Sequence, residues 1–314
     1  ENGQFKLVTR GVCEEFMRRL EAMGEGAITK LEPNIGQPTA DPEAAKFLMD
    51  EMVQEAKVDV FFHAWGVDVI QNGQSVQGVV FESKQGRQAV LAKVVVDASG
   101  DGDVFFQAGE SYTQISHALG FVHRLGNTDR IDKSKAPENT RLNIGGREPL
   151  KSVRWVNSLG NRGNGLDIRD MTQAEMMHRK SAWNYTQRIR KTPGYEEVYL
   201  AQTTSQLGVR ATRLLNGVVR IDKKGAVERA TYPDTVAVSG HDGLRLPEFQ
   251  IPYGSLLPKS VDNVLVAGRC ISCAPDLIDR VRLIPVCVVT GQAAGVAAAL
   301  AAKGGVRPRD LPAA

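Results

Sequence analysis

Apolar residues recur at every third or fourth position in three segments of the chain, which is the pattern of helices that bury one face. The first segment covers residues 11–23 and ends at Gly24, a residue type that commonly terminates helices. The second opens at Asp41-Pro42, a capping residue followed by a proline that fits the first helical position. The third, residues 172–190, predicts a helix near the middle of the chain.

Short apolar and alternating segments predict strands between the second and third helices. An uninterrupted apolar run at residues 58–62 predicts a buried strand, and residues 94–97 predict another. Between them, the turn signals Asn72-Gly73 and Gln85-Gly86 separate three alternating segments, which indicates a three-stranded antiparallel meander. These segments lie at residues 65–70, 76–81 and 88–91.

The end of the chain has a strand, a break and a helix of small residues. Residues 264–267 predict a buried strand, which breaks at Gly268-Arg269. Pro285 suits the first turn of a helix that is rich in alanine and glycine and allows a backbone or a flat ligand to approach closely. The free N–H groups at such a helix start favour a group that carries or gains negative charge.

Composition places the chain among globular proteins. It has 314 residues, 42% of them hydrophobic and 24% charged, with a net charge of +3 and no long basic run, so we expect no nucleic-acid partner. Four cysteines in a chain of this size argue against a disulfide framework and favour a reducing compartment. Because the sequence shows no signal peptide and no apolar run of membrane-spanning length, we expect a cytoplasmic protein without a membrane partner.

Two motifs carry a family resemblance. The turn Asp97-Ala-Ser-Gly-Asp-Gly-Asp103 and the helix Thr290-Gly-Gln-Ala-Ala-Gly295 resemble those of FAD-dependent oxidoreductases with the glutathione-reductase-like flavoprotein fold. Residues 207–213 and 251–258 match the same family. The resemblance implies an α/β fold in which an FAD-binding Rossmann-like parallel sheet and a β-meander form three layers, with an inserted α+β substrate domain. The implied domains are 1–110 (the first part of the FAD domain), 111–250 (the substrate domain) and 251–314 (the closing strand and helix).

The resemblance also implies which residues contact the FAD cofactor. They are Asp97, Ala98, Ser99, Gly100 and Asp103 after one strand, Gly268 and Arg269 after the other, and Arg282, Leu283, Ile284 and Gly291 around the last helix. Glycine lets backbone approach a diphosphate or ribityl chain, and arginine complements its charge. The alternatives are ordinary turns after the two strands and, for Arg282, a structural ion pair.

The implied activity is that of a dehydrogenase, which transfers hydride between a small organic substrate and N5 of the flavin. Such a reaction needs a base, and His241 stands where the family has a histidine-containing turn. Arg210 and Arg213 are three positions apart, so they could share a face and bind a substrate carboxylate or phosphate. A surface-loop histidine and structurally paired arginines are the alternatives. No residues have the spacing of metal ligands, so no metal is expected.

One departure from the family pattern changes the prediction. No G-x-G-x-x-G turn occurs in the sequence, although the family opens with a strand–turn–helix unit that holds the FAD pyrophosphate. We therefore expect the first βαβ unit to be absent from this sequence. The alternatives are that the chain is an incomplete fragment, that a partner chain supplies the unit, or that the unit has been lost. A homo-oligomer is a separate alternative for the partner.

A third interpretation makes the chain a disulfide oxidoreductase. Cys270 and Cys273 have the C-x-x-C spacing of redox motifs, and they follow a strand. An inert, buried pair is the alternative, because the spacing alone is a weak signal.

Overall fold

The computed structural model describes residues 8–29, 38–241 and 246–312. The chain divides into two compact units. Unit 1 contains the described parts of Glu1–Glu15, Asp59–Ile115 and Ala211–Ala314, and unit 2 contains those of Phe16–Val58 and Ser116–Arg210. These limits differ from the domains implied by the resemblance, since residues 211–250 belong to the same unit as the C-terminal strand and helix. The division into cofactor and substrate domains stays a prediction.

A parallel pair of strands lies in the core of unit 1. Strand β4 (Val95–Asp97) pairs with β14 (Val264–Val266), and Asp97 is opposite Val266. All three residues of β14 are buried, as expected for apolar strands covered on both faces. Both strands confirm the sequence-based predictions at residues 94–97 and 264–267.

The predicted meander is present and precedes β4. Strands β1 (Trp65–Asn72), β2 (Ser75–Ser83) and β3 (Gly86–Leu91) form an antiparallel sheet in the order β1-β2-β3. Gly73 and Gly86 have φ values of 59° and 96° in the two connecting turns, a left-handed conformation that favours glycine. The local turn signals therefore predicted these hairpins correctly.

The predicted buried strand at residues 58–62 is wrong. This segment is not assigned to a strand, and Phe61 and Phe62 are 65% and 70% exposed. A strand requires a neighbour that accepts and donates its backbone hydrogen bonds, and this segment pairs with no strand among the described residues. The apolar composition of residues 58–62 indicated burial, but a segment forms a strand only where another strand pairs with it.

Further short elements complete unit 1. Helix α3 (Asp103–Gln107) follows β4, β5 (Tyr112–Gln114) pairs with β11 (Arg213–Leu215), and β12 (Thr235–His241) pairs with β13 (Leu246–Pro252). Helices α5 (Lys223–Val227), α6 (Ile278–Val281) and α7 (Ile284–Gly304) lie later in the chain. Helix α7 begins with a proline in its first turn, as predicted.

Helix α7 meets the length and composition criteria for a membrane-spanning helix, with a mean hydropathy of 1.8. The expectation that no apolar run reaches this length is therefore wrong. One stripe of α7 is buried at helical spacing, and it consists of Val286, Thr290, Ala294, Ala297 and Ala301. Core helices of globular proteins meet the same two criteria, so the absence of a membrane partner stays a prediction.

A buried carboxylate fixes the loop that leads to β14. Glu110 is 3% exposed, and its Oε2 accepts hydrogen bonds from the N–H groups of Ser260 (2.7 Å) and Val261 (2.9 Å). Its Oε1 accepts another from the N–H of Ser111. Burial raises the pKa of Glu110, but these hydrogen bonds together outweigh burial and leave the pKa below its ordinary value.

We expect Glu110 to stabilise unit 1 in a pH-dependent way. Because its folded pKa is lowered, its contribution is present above the unfolded pKa of about 4.3 and is lost as the pH falls through the folded value. Urea unfolding of the wild type and of Glu110→Gln, measured from neutral to acidic pH, checks this. The difference in unfolding free energy should shrink on acidification, and a difference independent of pH would contradict the assignment.

Unit 2 is built around a sheet with a long helix on one face. Strand β6 (His117–Gly126) pairs with β8 (Val153–Gly163) along one edge and with β9 (Tyr199–Thr203) and β10 (Gly208–Val209) along the other. Strand β7 (Gly146–Arg147) extends the sheet beyond β8. Helix α4 (Ile168–Arg190) packs on this sheet and confirms the predicted central helix. Asp167 caps its start, and its side chain accepts hydrogen bonds from two backbone N–H groups of the first turn.

Two helices near the start of the chain confirm the predicted periodicity. They are α1 (Val12–Ala22) and α2 (Pro42–Glu55), and Asp41 caps α2 as expected. The second oxygen of Asp41 accepts a hydrogen bond of 2.9 Å from Arg124 of β6, which also donates to the buried carboxylate of Glu148. This charge network attaches the start of α2 to the sheet of unit 2.

Candidate cofactor site

The carboxylate of Asp97 organises the turn at the end of β4. Asp97 is fully buried, and its Oδ1 accepts hydrogen bonds from the N–H (3.1 Å) and hydroxyl (2.6 Å) of Ser99. Its Oδ2 accepts two more, from the N–H groups of Val104 (3.0 Å) and Phe105 (3.1 Å) in α3. The four bonds join β4, the turn and the start of α3. Asp97 therefore shapes the backbone of the predicted cofactor segment.

Two glycines in this turn are required by their conformation and by their neighbours. Gly100 and Gly102 have φ values of 79° and 68°. A Cβ atom at Gly100 would lie 2.3 Å from Nη1 of Arg269, and one at Gly102 would lie 2.1 Å from the ring of Phe105. The glycine-rich spacing of the motif is therefore explained by the turn itself.

An ion pair joins the two predicted cofactor turns. Arg269 follows β14, and its Nη2 donates to Oδ2 of Asp101 at 2.8 Å. Thr212 donates to the other oxygen of Asp101 at 2.7 Å. Sequence reasoning did not single out Asp101 or Thr212, because the threonine lies in a distant part of the chain. The guanidinium of Arg269 remains partly exposed, and its contact with the cofactor stays a prediction.

Arg213 also contacts this turn. Its Nη1 donates to the carbonyl of Asp101 (3.1 Å) and to Oδ1 of Asp103 (3.0 Å), and its guanidinium lies 4.0 Å from the centre of the Phe106 ring. Burial and the charge of Asp101 raise the pKa of the Asp103 carboxyl, against the lowering effect of Arg213. Arg213 is therefore a structural partner of the turn, and its contact with substrate stays a prediction.

Arg210 belongs to unit 2, where its Nη2 lies 3.5 Å from Oδ1 of Asn157. The two arginines were expected to share a face because of their spacing. Residues 210 and 213 follow one short strand and begin another, so the helical spacing rule does not apply to them. A substrate contact of Arg210 also stays a prediction.

The turn after β14 is attached to α7. The N–H of Gly268, whose φ is 80°, donates to the hydroxyl of Thr290 at 3.0 Å, and the same hydroxyl donates to the carbonyl of Val286. The N–H of Ala267 donates to the carbonyl of Asp97 at 2.9 Å. The two turns and the first part of α7 therefore form one connected region at the carboxyl ends of the parallel strands, the edge at which α/β sheets bind ligands.

The start of α7 is open to a ligand. Leu283 is the N-cap residue and its side chain makes no capping hydrogen bond, while Ile284 is 76% exposed. A Cβ atom built on Gly291 or Gly295 would have no protein atom within 4 Å. Packing against the described protein therefore does not explain these glycines, and the space beside them is open.

Arg282 and His241, two of the predicted site residues, lie outside the two turns. Arg282 caps the end of α6, and its Nε donates to Asp279 at 2.9 Å, which is the ion pair named as the alternative to cofactor binding. His241 is the last residue of β12, and its side chain and the turn that follows lie outside the described residues. No group of three metal-binding side chains occurs in the described parts of the chain.

The C-x-x-C pair is free and buried. Cys270 and Cys273 are both 0% exposed, and neither forms a disulfide. Burial raises the pKa of Cys273 to about 12, and burial together with Asp97 raises the pKa of Cys270 well above its ordinary value. The thiolate is the reactive form of cysteine, so this environment favours the inert pair over a redox site.

We therefore expect both thiols to resist alkylation in the folded protein. Iodoacetamide at neutral pH, followed by peptide mass spectrometry, should leave Cys270 and Cys273 unmodified and react first with the less buried Cys287. In denaturant all four cysteines should react, which is the control for reagent access. Rapid modification of Cys270 or Cys273 without unfolding would restore the redox interpretation.

Comparison with known proteins identifies the family. The family model for FAD dependent oxidoreductases matches residues 1–120 and 117–314. A search of curated proteins gave no match.

Solved structures resemble the chain in fold only. A p-nitrophenol 4-monooxygenase of Pseudomonas putida is 11% identical, with a TM-score of 0.41 over 85% of this chain and 56% of that one. A geranylgeranyl bacteriochlorophyll reductase-like protein of Thermoplasma acidophilum is 12% identical, with a TM-score of 0.47 over 95% and 68%. A myxobacterial chondrochloren halogenase is 16% identical, with a TM-score of 0.42 over 96% and 68%. The chain thus spans little more than half of the monooxygenase, and likenesses of this degree carry no information on its reaction.

Proposed function

Because this chain belongs to the FAD dependent oxidoreductase family, we propose that it transfers hydride between a small organic substrate and N5 of bound FAD. One observation supports this most directly. The Asp97 turn, the Gly268 turn and the open start of α7 meet at the carboxyl ends of β4 and β14. Ligands of α/β sheets bind at this edge, and the backbone there is shaped by buried side chains.

The residues at this edge fit FAD. Ala98 and Ser99 are exposed in the turn after β4, and Gly268, whose φ is positive, is half-buried in the turn after β14, so backbone is accessible at both turns. The free space beside Gly291 and Gly295 suits a ring system. When bound, FAD supplies the hydride acceptor or donor. The uncapped first turn of α7 then presents N–H groups to an electron-rich ligand edge, where they stabilise negative charge.

The other predicted residues have distinct roles in this proposal. Arg269 places positive charge beside the turns, and Arg213 positions the turn by its bonds to Asp101 and Asp103. His241 takes or returns the substrate proton at its imidazole ring. Orienting the substrate and the base at the site lowers the activation barrier for hydride transfer.

Cofactor binding and hydride transfer are tested in two steps. We expect the purified full chain to bind FAD in a fluorescence titration and to show the visible absorbance of oxidised flavin. A substrate of the proposed class should then bleach this absorbance without oxygen, and His241→Gln should slow the bleaching and remove its dependence on the ionisation of a histidine. A chain that binds no FAD under any condition contradicts the proposal.

A second candidate concerns how the site is completed. We propose that a strand–helix unit of a partner chain pairs with β4, whose only strand partner among the described residues is β14. A two-stranded parallel sheet is unusual because parallel sheets are normally larger and covered on both faces. The exposed residues 60–62 lie in the same unit and pair with no strand in the described parts of the chain. Both features are those of a sheet that accepts further strands.

Mixing experiments separate the two candidates. If the partner is needed, the chain alone should bind FAD weakly, and binding should rise when a glycine-rich strand–helix polypeptide of the family is co-expressed. Hydrogen exchange at the N–H groups of β4 should then slow, because strand pairing protects them. Full FAD binding by the chain alone, with no change in β4 exchange, would exclude the partner.

A further inference from the structure

Unit 2 has a groove between α4 and β9 that is lined by none of the residues assigned to the cofactor. It has a volume of about 520 Å³. Six residues line it: Met176, Arg179, Lys180, Trp183, Leu200 and Thr203. Met176 and Trp183 are each three or four positions from both Arg179 and Lys180, so the four residues lie on one face of α4. We call it the α4–β9 groove.

The groove combines an apolar wall with positive charge. Trp183 and Met176 are 55% and 65% exposed, so the groove offers apolar surface to a ligand. Arg179 pairs with Glu175 on the same helix, so Lys180 leaves the groove with a net positive charge. An aromatic ring next to a cation is the arrangement that binds a molecule with an apolar body and an anionic end.

A second observation comes from the strand below the groove. His123 is 1% exposed, and neither of its ring nitrogens has a hydrogen-bond partner among the described residues. It is directly opposite Thr203 in the β6–β9 pairing, so the two side chains lie next to each other on one face, with their Cβ atoms about 5 Å apart. Buried polar groups are almost always hydrogen-bonded. The two ring nitrogens of His123 that have no partner therefore lie next to Thr203, which lines the groove.

We propose that the α4–β9 groove binds a small molecule that joins an apolar body to a carboxylate. The body packs on Trp183 and Met176, and the carboxylate lies beside Lys180. At Thr203, the ligand hydrogen-bonds the ring of the neighbouring His123, either directly or through a water molecule. The site does not depend on the proposed flavin chemistry, since ligand binding requires no turnover.

Three probes of similar size but different charge test the proposal. Phenylacetate, phenylethanol and phenylethylamine are titrated calorimetrically into the full chain. We expect phenylacetate to bind most tightly and the amine most weakly. In Lys180→Gln, the Kd of phenylacetate should rise about fivefold, as for a solvent-exposed charge pair, while that of phenylethanol stays unchanged. Equal affinities for the acid and the amine would overturn the proposal.

Neighbouring positions on α4 provide matched controls. Met176→Ala and Trp183→Ala should weaken phenylacetate and phenylethanol together, whereas Met177→Ala should change neither, because Met177 is exposed but does not line the groove. Lys191→Gln, at the end of the same helix, should likewise leave the Kd unchanged. Binding that is lost equally in the control variants, or not detected at millimolar probe, contradicts the assignment.

The role of His123 is tested by the melting temperature and the Kd of a His123→Leu variant. His123→Leu removes the unpartnered nitrogens, so the protein should melt at the same temperature as the wild type or higher, while the Kd of phenylacetate rises. A purely structural histidine would leave the Kd unchanged. Because the groove variants and their controls assign the probe binding to unit 2, a failure of these measurements leaves the FAD titration and its conclusion untouched.

Discussion

Replacing Asp97 by alanine is expected to destabilise unit 1 strongly and to abolish FAD binding. The substitution leaves the N–H groups of Ser99, Val104 and Phe105 without the acceptor that they share. The bond from Phe105 is buried, and a buried donor left unpaired costs about 1–3 kcal/mol, whereas the bonds from Ser99 and Val104 are part-buried and cost less. We therefore expect a loss of about 2–4 kcal/mol in unfolding free energy. The measurement is chemical denaturation, followed by FAD titration under conditions in which the variant is folded.

A neighbouring variant separates the turn from the fold as a whole. Ser99→Ala removes the hydroxyl bond to Asp97 and the bond that this hydroxyl accepts from the N–H of Asp103. It leaves the two bonds to α3 in place, so its cost should be about 1 kcal/mol. If Asp97→Ala were no more destabilising than Ser99→Ala, the carboxylate would not be the organising group of the turn.

The same contacts explain which parts of the fold could be predicted from the sequence. The turn after β4 follows from residues within one short segment, since Asp97 bonds to Ser99, Val104 and Phe105. The hairpins of the meander are equally local. The sequence predicts such elements well because their hydrogen-bond partners are near in sequence. The turn residues and the apolar periodicity are then both present within one segment.

Contacts between distant segments could not be predicted in this way. The pairing of Thr212 with Asp101 and the cap that Gln292 provides for the N–H of Val12 join residues far apart in the chain. Neither a threonine nor a glutamine at these positions carries a local signal of its partner. The prediction of a buried strand at residues 58–62 was wrong for a related reason, because burial of an apolar run depends on a neighbouring strand.

The candidate site shows the same division. The motif residues were identified by resemblance, and the structure brings the Asp97 and Gly268 turns together at one sheet edge. The partners of the arginines were not visible in the sequence, so Arg269 and Arg282 were assigned to the cofactor, although each also forms an ion pair. Charge in a motif shows that a counter-charge is needed, but not whether the protein or a ligand supplies it.

The second large effect is expected at Gly291. Replacing Gly291 by leucine should displace FAD while the protein remains folded. Apart from the backbone of α7 itself, no described protein atom lies within 4 Å of the position that the new Cβ would take. The leucine side chain therefore enters open space beside the helix. Replacing a glycine inside a helix also raises helix stability by up to about 1 kcal/mol. Loss of flavin without loss of stability would therefore locate the ring beside this glycine.

Flavin occupancy and melting temperature of Gly291→Leu are compared with those of two other variants. Gly291→Ala adds one methyl group, so it should retain more flavin than the leucine variant. Ala299→Leu adds an equally large side chain at an exposed position about 12 Å further along α7, and it should retain full occupancy. Colourless, folded Gly291→Leu with yellow Ala299→Leu supports the assignment. A yellow Gly291→Leu would mean that α7 does not face the ring, and a parallel fall in melting temperature and flavin would mean that Gly291 serves packing alone.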